Sequence, residues 1–400
     1  MRWESRLSNA AARVADADAV IGILRLAEQP DVLSLAGGLP DPEVFRVADV
    51  RGTMDRVLRE HGREALNYSP NPGITPLREF LAQRMQRVES VDCAADEILV
   101  TSGGLEGIRH ALNALLDPGD PVLVEEATYM VALQVARELN AAPAPVRGDA
   151  GGMLPDALDA ACRRLAAEGR PARLLYAVPS FSNPTGRTWS LRRRREILAV
   201  AERHGLAVIE DHAYGELGYD GPPPPSLKSL APDRVIFVHT FSKIFGPGLR
   251  LGWVVANRSL IRRMGLLKLG TDQCSGALVQ RLALAYGEAG GIGKQVAAAQ
   301  DLYRTKRDAM LEELASLPTR GPVERPAGGF FVWLEVGVDT EALLKVAIER
   351  NRVAFVAGSC FFADPTSARA RRSLRLSFSY LPAATLRRAV ARLADALRGA

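Results

Sequence analysis

One lysine stands where it could act as a nucleophile. Lys243 ends the sequence Thr240-Phe241-Ser242-Lys243 after an apolar, strand-like run, and Arg250 follows in a Gly/Pro-rich loop. Ligands of open α/β sheets bind outside the carboxyl ends of the strands, which is where this lysine is expected. A lysine amine whose pKa is depressed by its surroundings forms Schiff bases with carbonyl groups. Thr240, Ser242 and Arg250 could hold a phosphate beside it. The competing interpretation is a surface lysine in a flexible loop.

A second apolar run ends in two carboxylates. The sequence Glu210-Asp211-His212-Ala213-Tyr214 follows Val208-Ile209. An acid at this position could pair with a pyridinium nitrogen and keep the ring electron-withdrawing. We assign this contact to Asp211, because strand alternation points Glu210 away, and Tyr214 could donate to the ring's phenolate oxygen. The alternatives are an aspartate that caps the next segment and, at His212, a packed loop histidine.

Two turns follow other strand-like runs. The Asn183 amide, in Asn183-Pro184-Thr185-Gly186, could bond the same phenolate oxygen, although Asn-Pro with Gly nearby is also an ordinary turn. Gly103-Gly104-Leu105 lead from a strand into a helix, an arrangement that points backbone N–H groups at an anion. The spacing fits neither a dinucleotide fingerprint nor a Walker A loop, and a plain strand-to-helix turn is the alternative.

Two further residues gain interest from their order in the chain. Tyr129 opens a helix, where it could stack on a flat ring or be a core aromatic. Arg375 lies on an alternating C-terminal strand and could clamp a substrate carboxylate with both arms of its guanidinium. In a chain with many arginines, position alone would not single it out.

The elements that must position these side chains alternate through the middle of the chain. The candidate strands are Ile98–Thr101, Pro121–Glu125, Leu174–Val178, Ala207–Glu210, Val235–His239 and Gly252–Ala256. The candidate helices are Leu105–Leu116, Tyr129–Leu139, Leu191–His204 and Ser259–Leu269. Short links between strands and helices predict an α/β fold with a mostly parallel sheet covered by helices on both faces.

The two ends of the chain differ from the middle. Strands at Gly328–Leu334, Val353–Val356 and Leu374–Phe378, with helices at Thr340–Glu349 and Ala383–Leu397, predict a smaller α+β unit. The first residues predict one or two helices and then an extended segment, Leu33–Gly38. We therefore expect an N-terminal arm with part of the small domain over residues 1–44, a large cofactor-binding domain over 45–285 and a C-terminal small domain over 286–400.

Composition excludes several classes of function. The net charge is +5, and six of the 51 basic residues are lysines. The basic run Arg192–Arg195 predicts a solvated helix face, so we expect no nucleic-acid partner. Four cysteines without CxxC spacing predict reduced thiols and no metal site. No apolar run of about 18 residues and no signal-type segment is evident, so we expect no membrane partner and a cytoplasmic location.

Taken in order, these motifs resemble the fold-type I pyridoxal-5′-phosphate (PLP) aminotransferases of class I/II, in particular the 2-aminoadipate and kynurenine aminotransferase branch. The resemblance covers nearly the whole chain. It rests on Ser34–Pro40, Asn67–Pro70 with Gly73, Pro76–Arg78, Tyr129, Asn183–Gly186, Asp211 with Tyr214, Ser242-Lys243, Gly248–Arg250 and Arg375–Ser377. It implies PLP as cofactor and a large domain built on a seven-stranded, mostly parallel sheet beside a smaller α+β domain.

The resemblance also implies roles for the site residues. Lys243 would form the cofactor Schiff base and move protons, and Asp211 would hold the pyridine nitrogen. The phenolate oxygen would be bound by Asn183 and Tyr214, with Tyr129 stacked on the ring.

The remaining implied roles concern the phosphate and the substrate. The phosphate would be held by Thr240, Ser242, Arg250, the amides of Gly103-Gly104-Leu105 and, from the neighbouring subunit of a homodimer, Tyr68. The substrate α-carboxylate would be held by Arg375, Asn183 and the Gly38 backbone.

Two departures from the family pattern bear on ligand binding. The phosphate loop commonly reads Gly-Ser-Gln in the family, whereas Gly103-Gly104-Leu105 lacks side-chain donors, so backbone amides and Arg250 must do more. Members that act on acidic substrates can carry an arginine on the N-terminal helix, where this chain has Val20–Leu24. That favours an apolar, aromatic or cationic substrate side chain, although Arg25 lies nearby. The stretch Gly265–Gly276, with Asp272, is expected to help shape the side-chain pocket.

Three readings of the activity follow. The resemblance implies ping-pong transamination between an L-amino acid and a 2-oxo acid. The same motifs also suit a β-lyase, a decarboxylase or an oxidative deaminase on the same fold. A regulator with an aminotransferase-like sensor domain would need a DNA-binding segment before residue 30, for which we see no room.

Overall fold

The computed structural model describes residues 3–13 and 31–399. Within those ranges no helix is both long enough and apolar enough to cross a bilayer. The strands are β1 (Leu33–Ser34), β2 (Ile98–Thr101), β3 (Pro121–Glu125), β4 (Ala142–Val146), β5 (Gly148–Asp149), β6 (Gly152–Met153), β7 (Leu174–Ala177), β8 (Ala207–Asp211), β9 (Val235–Thr240), β10 (Gly252–Val255), β11 (Phe331–Glu335), β12 (Val353–Ala354), β13 (Val356–Ala357) and β14 (Ser373–Ser377).

The α-helices lie between and around these strands. They are α1 (Asn9–Arg13), α2 (Val47–Ala65), α3 (Thr75–Glu89), α4 (Gly104–Leu115), α5 (Met130–Glu138), α6 (Pro155–Ala167), α7 (Leu191–Arg203), α8 (Leu227–Leu230), α9 (Arg258–Leu269), α10 (Ala277–Glu288), α11 (Gly291–Leu314), α12 (Thr340–Glu349), α13 (Ala368–Arg372) and α14 (Ala383–Arg398).

A seven-stranded sheet forms the centre of the molecule, in the order β2-β10-β9-β8-β7-β3-β4. The strands from β9 to β4 run parallel to one another, whereas β10 is antiparallel to both β2 and β9. Apolar side chains on both faces pack under helices, so β2, β3 and β7 are buried along their whole length. The predicted α/β fold with a mostly parallel, helix-covered sheet is confirmed.

One strand of this sheet was missed. β4 contains Pro143 and Pro145, which cannot donate to a ladder and which argue against a strand in sequence. The strand is tolerated because, among the described strands, it lies at the edge of the sheet and pairs with β3 on one side.

A second unit is formed by the C-terminal part of the chain. Its three-stranded antiparallel sheet has the order β11-β14-β13, and α11 and α14 pack beside it. β1 pairs in parallel with β12, so the segment after residue 31 joins this unit. The strand predicted at Val353–Val356 is divided in two, because β12 pairs with β1 while β13 pairs with β14. Arg375 is thereby placed on the central strand of the small sheet.

The domain limits at residues 44 and 285 stay a prediction. The stretch Val20–Leu24, expected on an N-terminal helix, and Arg25 lie outside the described residues.

Candidate active site

A cavity of about 840 Å³ opens at the carboxyl ends of β7, β8 and β9. The predicted site residues that line it are Gly38, Gly104, Leu105, Tyr129, Asn183, Asp211, Tyr214, Thr240, Ser242, Lys243, Arg250 and Arg375. Residues from the two ends of the chain and from five loops of the large sheet therefore meet at one place, as the strand-end rule for α/β sheets leads one to expect.

Lys243 projects into this cavity from the turn after β9. Its Nζ donates to the carbonyl oxygen of Gly38 at 3.0 Å, and no carboxylate of the described residues pairs with it. Burial, followed by the positive charges of Arg375 and Arg250, lowers the pKa of the amine to about 8. A substantial fraction of the amine is therefore neutral near pH 8 and available as a nucleophile.

Asp211 ends β8 on the floor of the cavity. Its Oδ2 accepts a hydrogen bond from the Tyr176 hydroxyl at 2.7 Å, and its Oδ1 accepts one from the backbone N–H of Ala213 at 3.3 Å. Burial raises the pKa of the carboxyl, while these hydrogen bonds oppose that rise. Glu210 points the other way, as alternation along the strand predicted, and accepts the backbone N–H groups of Leu227 and Lys228.

The turn into α4 and the turn after β9 form a cradle for an anion. Thr240 donates to Ser242 Oγ at 2.9 Å, and Arg250 reaches the same Oγ at 3.4 Å. Gly103, which lies behind the lining, has φ +95°, and a Cβ there would meet the Arg250 guanidinium at 2.6 Å. The turn therefore needs glycine at this position so that Arg250 can approach the helix N-terminus.

Arg375 is fixed at the opposite side of the cavity. Its Nη1 donates to Asn183 Oδ1 at 2.8 Å, and its Nη2 donates to the carbonyl oxygen of Ala36. The guanidinium lies 4.2 Å from the ring centroid of Phe331. A Cβ on Gly38 would come within 2.9 Å of the same ring, so Gly38 permits a close approach of the backbone to the Phe331 ring. Burial lowers the pKa of Arg375 to about 10.

Two tyrosines complete the lining. Tyr129 lies immediately before α5, and burial raises its pKa to about 12. Tyr214 is buried against Phe330 and Phe331, and burial raises its pKa also. Both hydroxyls therefore stay protonated at neutral pH and remain hydrogen-bond donors.

Tyr68 does not line this cavity within the protomer. Its side chain is 81% exposed on the surface of the protomer. The segment Ser69–Asn71 next to it is fastened to the loop after α9, because Ser69 Oγ donates to the Ser275 carbonyl and Asn71 to the Gln273 carbonyl.

Sequence reasoning missed an ion cluster behind the phosphate cradle. Lys268 Nζ is fully buried and donates to Glu106 and Asp272, and Glu106 in turn accepts the Ser102 backbone N–H. Asp272 accepts the Ser102 hydroxyl and so anchors the Ser102 turn within the protomer, while its expected part in shaping the side-chain pocket stays a prediction. The residues are up to 170 positions apart in the chain, so no local pattern could reveal the cluster.

The geometry suits PLP. Among the described residues, the cavity offers a lysine without a paired carboxylate and a buried aspartate on the neighbouring strand. It also offers a glycine turn that Arg250 approaches closely. The amine, the carboxylate and the turn match an aldehyde, a protonated pyridine nitrogen and a phosphate, respectively.

Comparisons with known proteins identify the family. The class I and II aminotransferase family matches residues 30–393. An aromatic-amino-acid aminotransferase of Thermococcus litoralis is 35% identical over 94% of this chain and 90% of its own length. A 2-aminoadipate transaminase of Thermus thermophilus is 36% identical over 100% of this chain and 98% of its own.

A solved structure agrees. The kynurenine aminotransferase of Pyrococcus horikoshii, in complex with PMP, superposes with a TM-score of 0.93 at 33% identity, over 99% of this chain and 98% of that one. The predicted resemblance, cofactor and reaction type are thereby confirmed. The chain belongs to the class I and II aminotransferases and is a PLP-dependent transaminase.

Proposed function

We propose that the enzyme transfers the amino group of a neutral, bulky L-amino acid to a 2-oxo acid. The observation that carries the proposal is the meeting of Lys243, Asp211 and Arg375 in one cavity. The charged groups of the described lining are those three and Arg250, with His239 beside them. Each already has an assigned partner, so the described residues offer no further cation for a second substrate carboxylate. Apolar side chains, including Leu39, Met130, Phe331 and Tyr380, occupy the rest of the surface.

Each residue has a distinct task in this proposal. Arg375 binds the substrate α-carboxylate through its two arms, with Asn183 fixing its orientation. The neutral Lys243 amine takes the proton from the substrate Cα and returns it at the carbon that receives the amino group. Bound PLP supplies a protonated ring that stabilises negative charge at that Cα.

The phosphate and ring contacts complete the assignment. The α4 N-terminus, Thr240, Ser242 and Arg250 hold the phosphate, because backbone amides and a guanidinium converge there. Asp211 pairs with the ring nitrogen. Tyr214 and Asn183 donate to the phenolate oxygen, and Tyr129 covers the ring face.

We further propose a homodimer. Four exposed apolar side chains lie on two segments that pack together, namely Leu66, Tyr68, Leu266 and Leu269. Exposed apolar groups of this kind mark protein–protein contacts, and a two-fold axis is the commonest arrangement. In such a dimer Tyr68 reaches the phosphate of the partner.

The cytoplasm is the proposed location, supported by four free cysteines.

The activity is tested by absorbance spectra of the purified enzyme with a panel of L-amino acids. Aromatic and large aliphatic amino acids should convert the visible cofactor band to a pyridoxamine-like band, whereas dicarboxylic amino acids should do so poorly. Lys243→Ala should lose the visible band and at least about 10²-fold in rate. Products without pyridoxamine formation would instead indicate a lyase, decarboxylase or deaminase.

The dimer is tested by light scattering of the holoenzyme. Leu269→Glu should shift the mass from dimer to monomer, and Tyr68→Phe should keep the dimer but weaken PLP binding about tenfold. Val88→Glu, at another exposed apolar position, is the matched control. A monomeric wild-type enzyme with full activity would contradict the proposal.

A further inference from the structure

Asp211 accepts a hydrogen bond from a tyrosine that is buried in the protein interior. The hydroxyl of Tyr176 donates to Asp211 Oδ2 at 2.7 Å, and Tyr176 is only 1% exposed. Tyr176 lies on β7, next to β8, and is not part of the cavity lining. Its phenol therefore contacts the carboxylate without being able to contact a substrate.

This hydrogen bond and the burial of Asp211 have opposite effects on the pKa of its carboxyl group. Taking a carboxylate out of water favours its protonated form, and burial does raise the pKa of Asp211. A hydroxyl that donates to the charged form favours ionisation. Burial and the nearby Asp211 charge hold the pKa of Tyr176 far above its usual range, so the phenol keeps its proton and always donates.

A buried cation lies behind the same carboxylate. His212 is fully buried, with Nε2 3.2 Å from Glu89 and Nδ1 3.6 Å from Glu210. Although burial disfavours its charge, these two carboxylates raise the pKa of His212 to about 10. The imidazole is therefore a fixed positive charge at neutral pH, and its field favours the ionised form of the adjacent Asp211.

We propose that Tyr176 is a positioning residue that keeps Asp211 ionised and oriented toward the ring nitrogen of PLP, assisted from behind by the Glu89–His212 pair. The inference rests on the proposed placement of the ring nitrogen against Asp211. Tyr176 holds Oδ2 and the Ala213 amide approaches Oδ1, so the carboxylate cannot rotate without losing a hydrogen bond. A fixed, ionised acid holds a proton on the ring nitrogen more firmly than a free one.

Several other titratable groups interact with Asp211 and bear on its pH dependence. They are His239 on β9, Lys243 after β9, Tyr129 before α5 and Tyr214 after β8. None of these donates a hydrogen bond to the carboxylate among the contacts of the described residues, which distinguishes Tyr176.

The test is a pH titration of the cofactor's visible band in the holoenzymes of the wild type and Tyr176→Phe. Without the phenol proton, Asp211 holds the ring proton less firmly, the ring withdraws fewer electrons, and the nitrogen joined to Lys243 becomes more basic. The midpoint should therefore rise by about 0.5–1 pH unit. The acid limb of kcat should move to higher pH and kcat should fall about tenfold, with KM unchanged.

Tyr286→Phe is the matched control. Tyr286 is also a 1% exposed tyrosine, and its hydroxyl donates to Gln295 at 3.3 Å, remote from the cavity lining. It should leave the midpoint and kcat unchanged. In an Asp211→Asn background the carboxylate is absent, so Tyr176→Phe should then produce no further shift of the midpoint.

The outcomes separate the inference from the proposed function. An Asp211→Asn holoenzyme with an altered midpoint, beside a Tyr176→Phe holoenzyme like the wild type, overturns the inference alone. So does a Tyr176→Phe shift that persists in the Asp211→Asn background, because it would then arise from packing. An Asp211→Asn holoenzyme that titrates like the wild type overturns the placement of the ring nitrogen and the inference with it.

A second variant covers the case in which Tyr176→Phe folds poorly. Glu89→Gln removes one of the two anions that keep His212 charged, and Glu89 lies at a rear cleft away from the active-site cavity. The midpoint should shift in the same direction by a smaller amount. A shift in the opposite direction, or none, contradicts the assisting role of the pair.

Discussion

Two lysines show how this protein treats a buried amine in opposite ways. Lys306, in the small unit, donates to the Asp41 carboxylate and to the carbonyl oxygens of Ser379 and Tyr380. Lys243, in the cavity, reaches one carbonyl and lies near two arginines, which helps to lower its pKa to about 8. The structural lysine is paired with an anion, whereas the reactive lysine has no such partner among the described residues and becomes a nucleophile.

Lys306→Met should have the largest effect on folding. It leaves Asp41 as a buried carboxylate without its cation, which typically costs about 3–5 kcal/mol. The free energy of unfolding, measured with urea on the apoprotein, should fall by that amount. Lys294→Met, at an exposed position of the same helix, is the control and should change stability by less than about 0.5 kcal/mol. Equal effects of the two variants would contradict the comparison.

Lys268→Met should have an intermediate effect with a second consequence. Its partner Asp272 has a side chain that is 29% exposed, so water can partly replace the lost cation. We expect a loss of about 2–3 kcal/mol and weaker PLP binding, because the Ser102 turn beside the phosphate cradle loses its anchor. Fluorescence titration of the apoprotein with PLP measures the second effect. Unchanged PLP affinity would restrict this lysine to a role in stability.

A buried carboxylic acid, Glu125, extends the comparison to groups of the opposite charge. Glu125 accepts the Trp189 indole N–H, but its Oε2 has no hydrogen-bond partner among the described residues, and burial raises the pKa of Glu125 to about 7. The folded state therefore binds more protons than the unfolded state between the usual pKa near 4.5 and 7, and stability falls as pH rises through that window. Glu125→Gln should stabilise the protein by about 1–2 kcal/mol at pH 8 and by much less at pH 5. Thermal unfolding of both proteins at both pH values checks this. A lower stability of Glu125→Gln than of the wild type at pH 8 would contradict the prediction.

Lys243→Met should have the smallest effect on the stability of the apoprotein, although it abolishes activity. The folded-state pKa of about 8 lies below the usual 10.5, so the unfolded state binds more protons between these values. The wild type should therefore gain stability relative to Lys243→Met as pH rises from about 8 to 10.5, and below pH 8 it should be the less stable of the two. Urea unfolding of both apoproteins at pH 7 and 10 tests the sign.

The extent to which sequence predicts this molecule follows from the same physics. Lys243 and Asp211 were found because strand ends are short-range features, and Arg375 was found through the ordered set of motifs. Tyr176 is hidden in an apolar run, where only the need of a buried phenol for a partner signals it. The Lys268 cluster joins residues that are far apart in sequence, and β4 is a strand despite two prolines because it is at an edge.

The burial of the lysines also shapes the protein's chemistry toward amine reagents. Lys228, Lys268 and Lys306 are enclosed, while Lys294 and Lys345 are exposed and Lys243 lines an open cavity. Acylation or reductive alkylation at mild pH therefore has three lysine targets in the chain, and the pKa of Lys243 is lowered to about 8. Peptide mapping after brief labelling, with and without PLP, therefore measures cofactor occupancy from the peptide that contains Lys243.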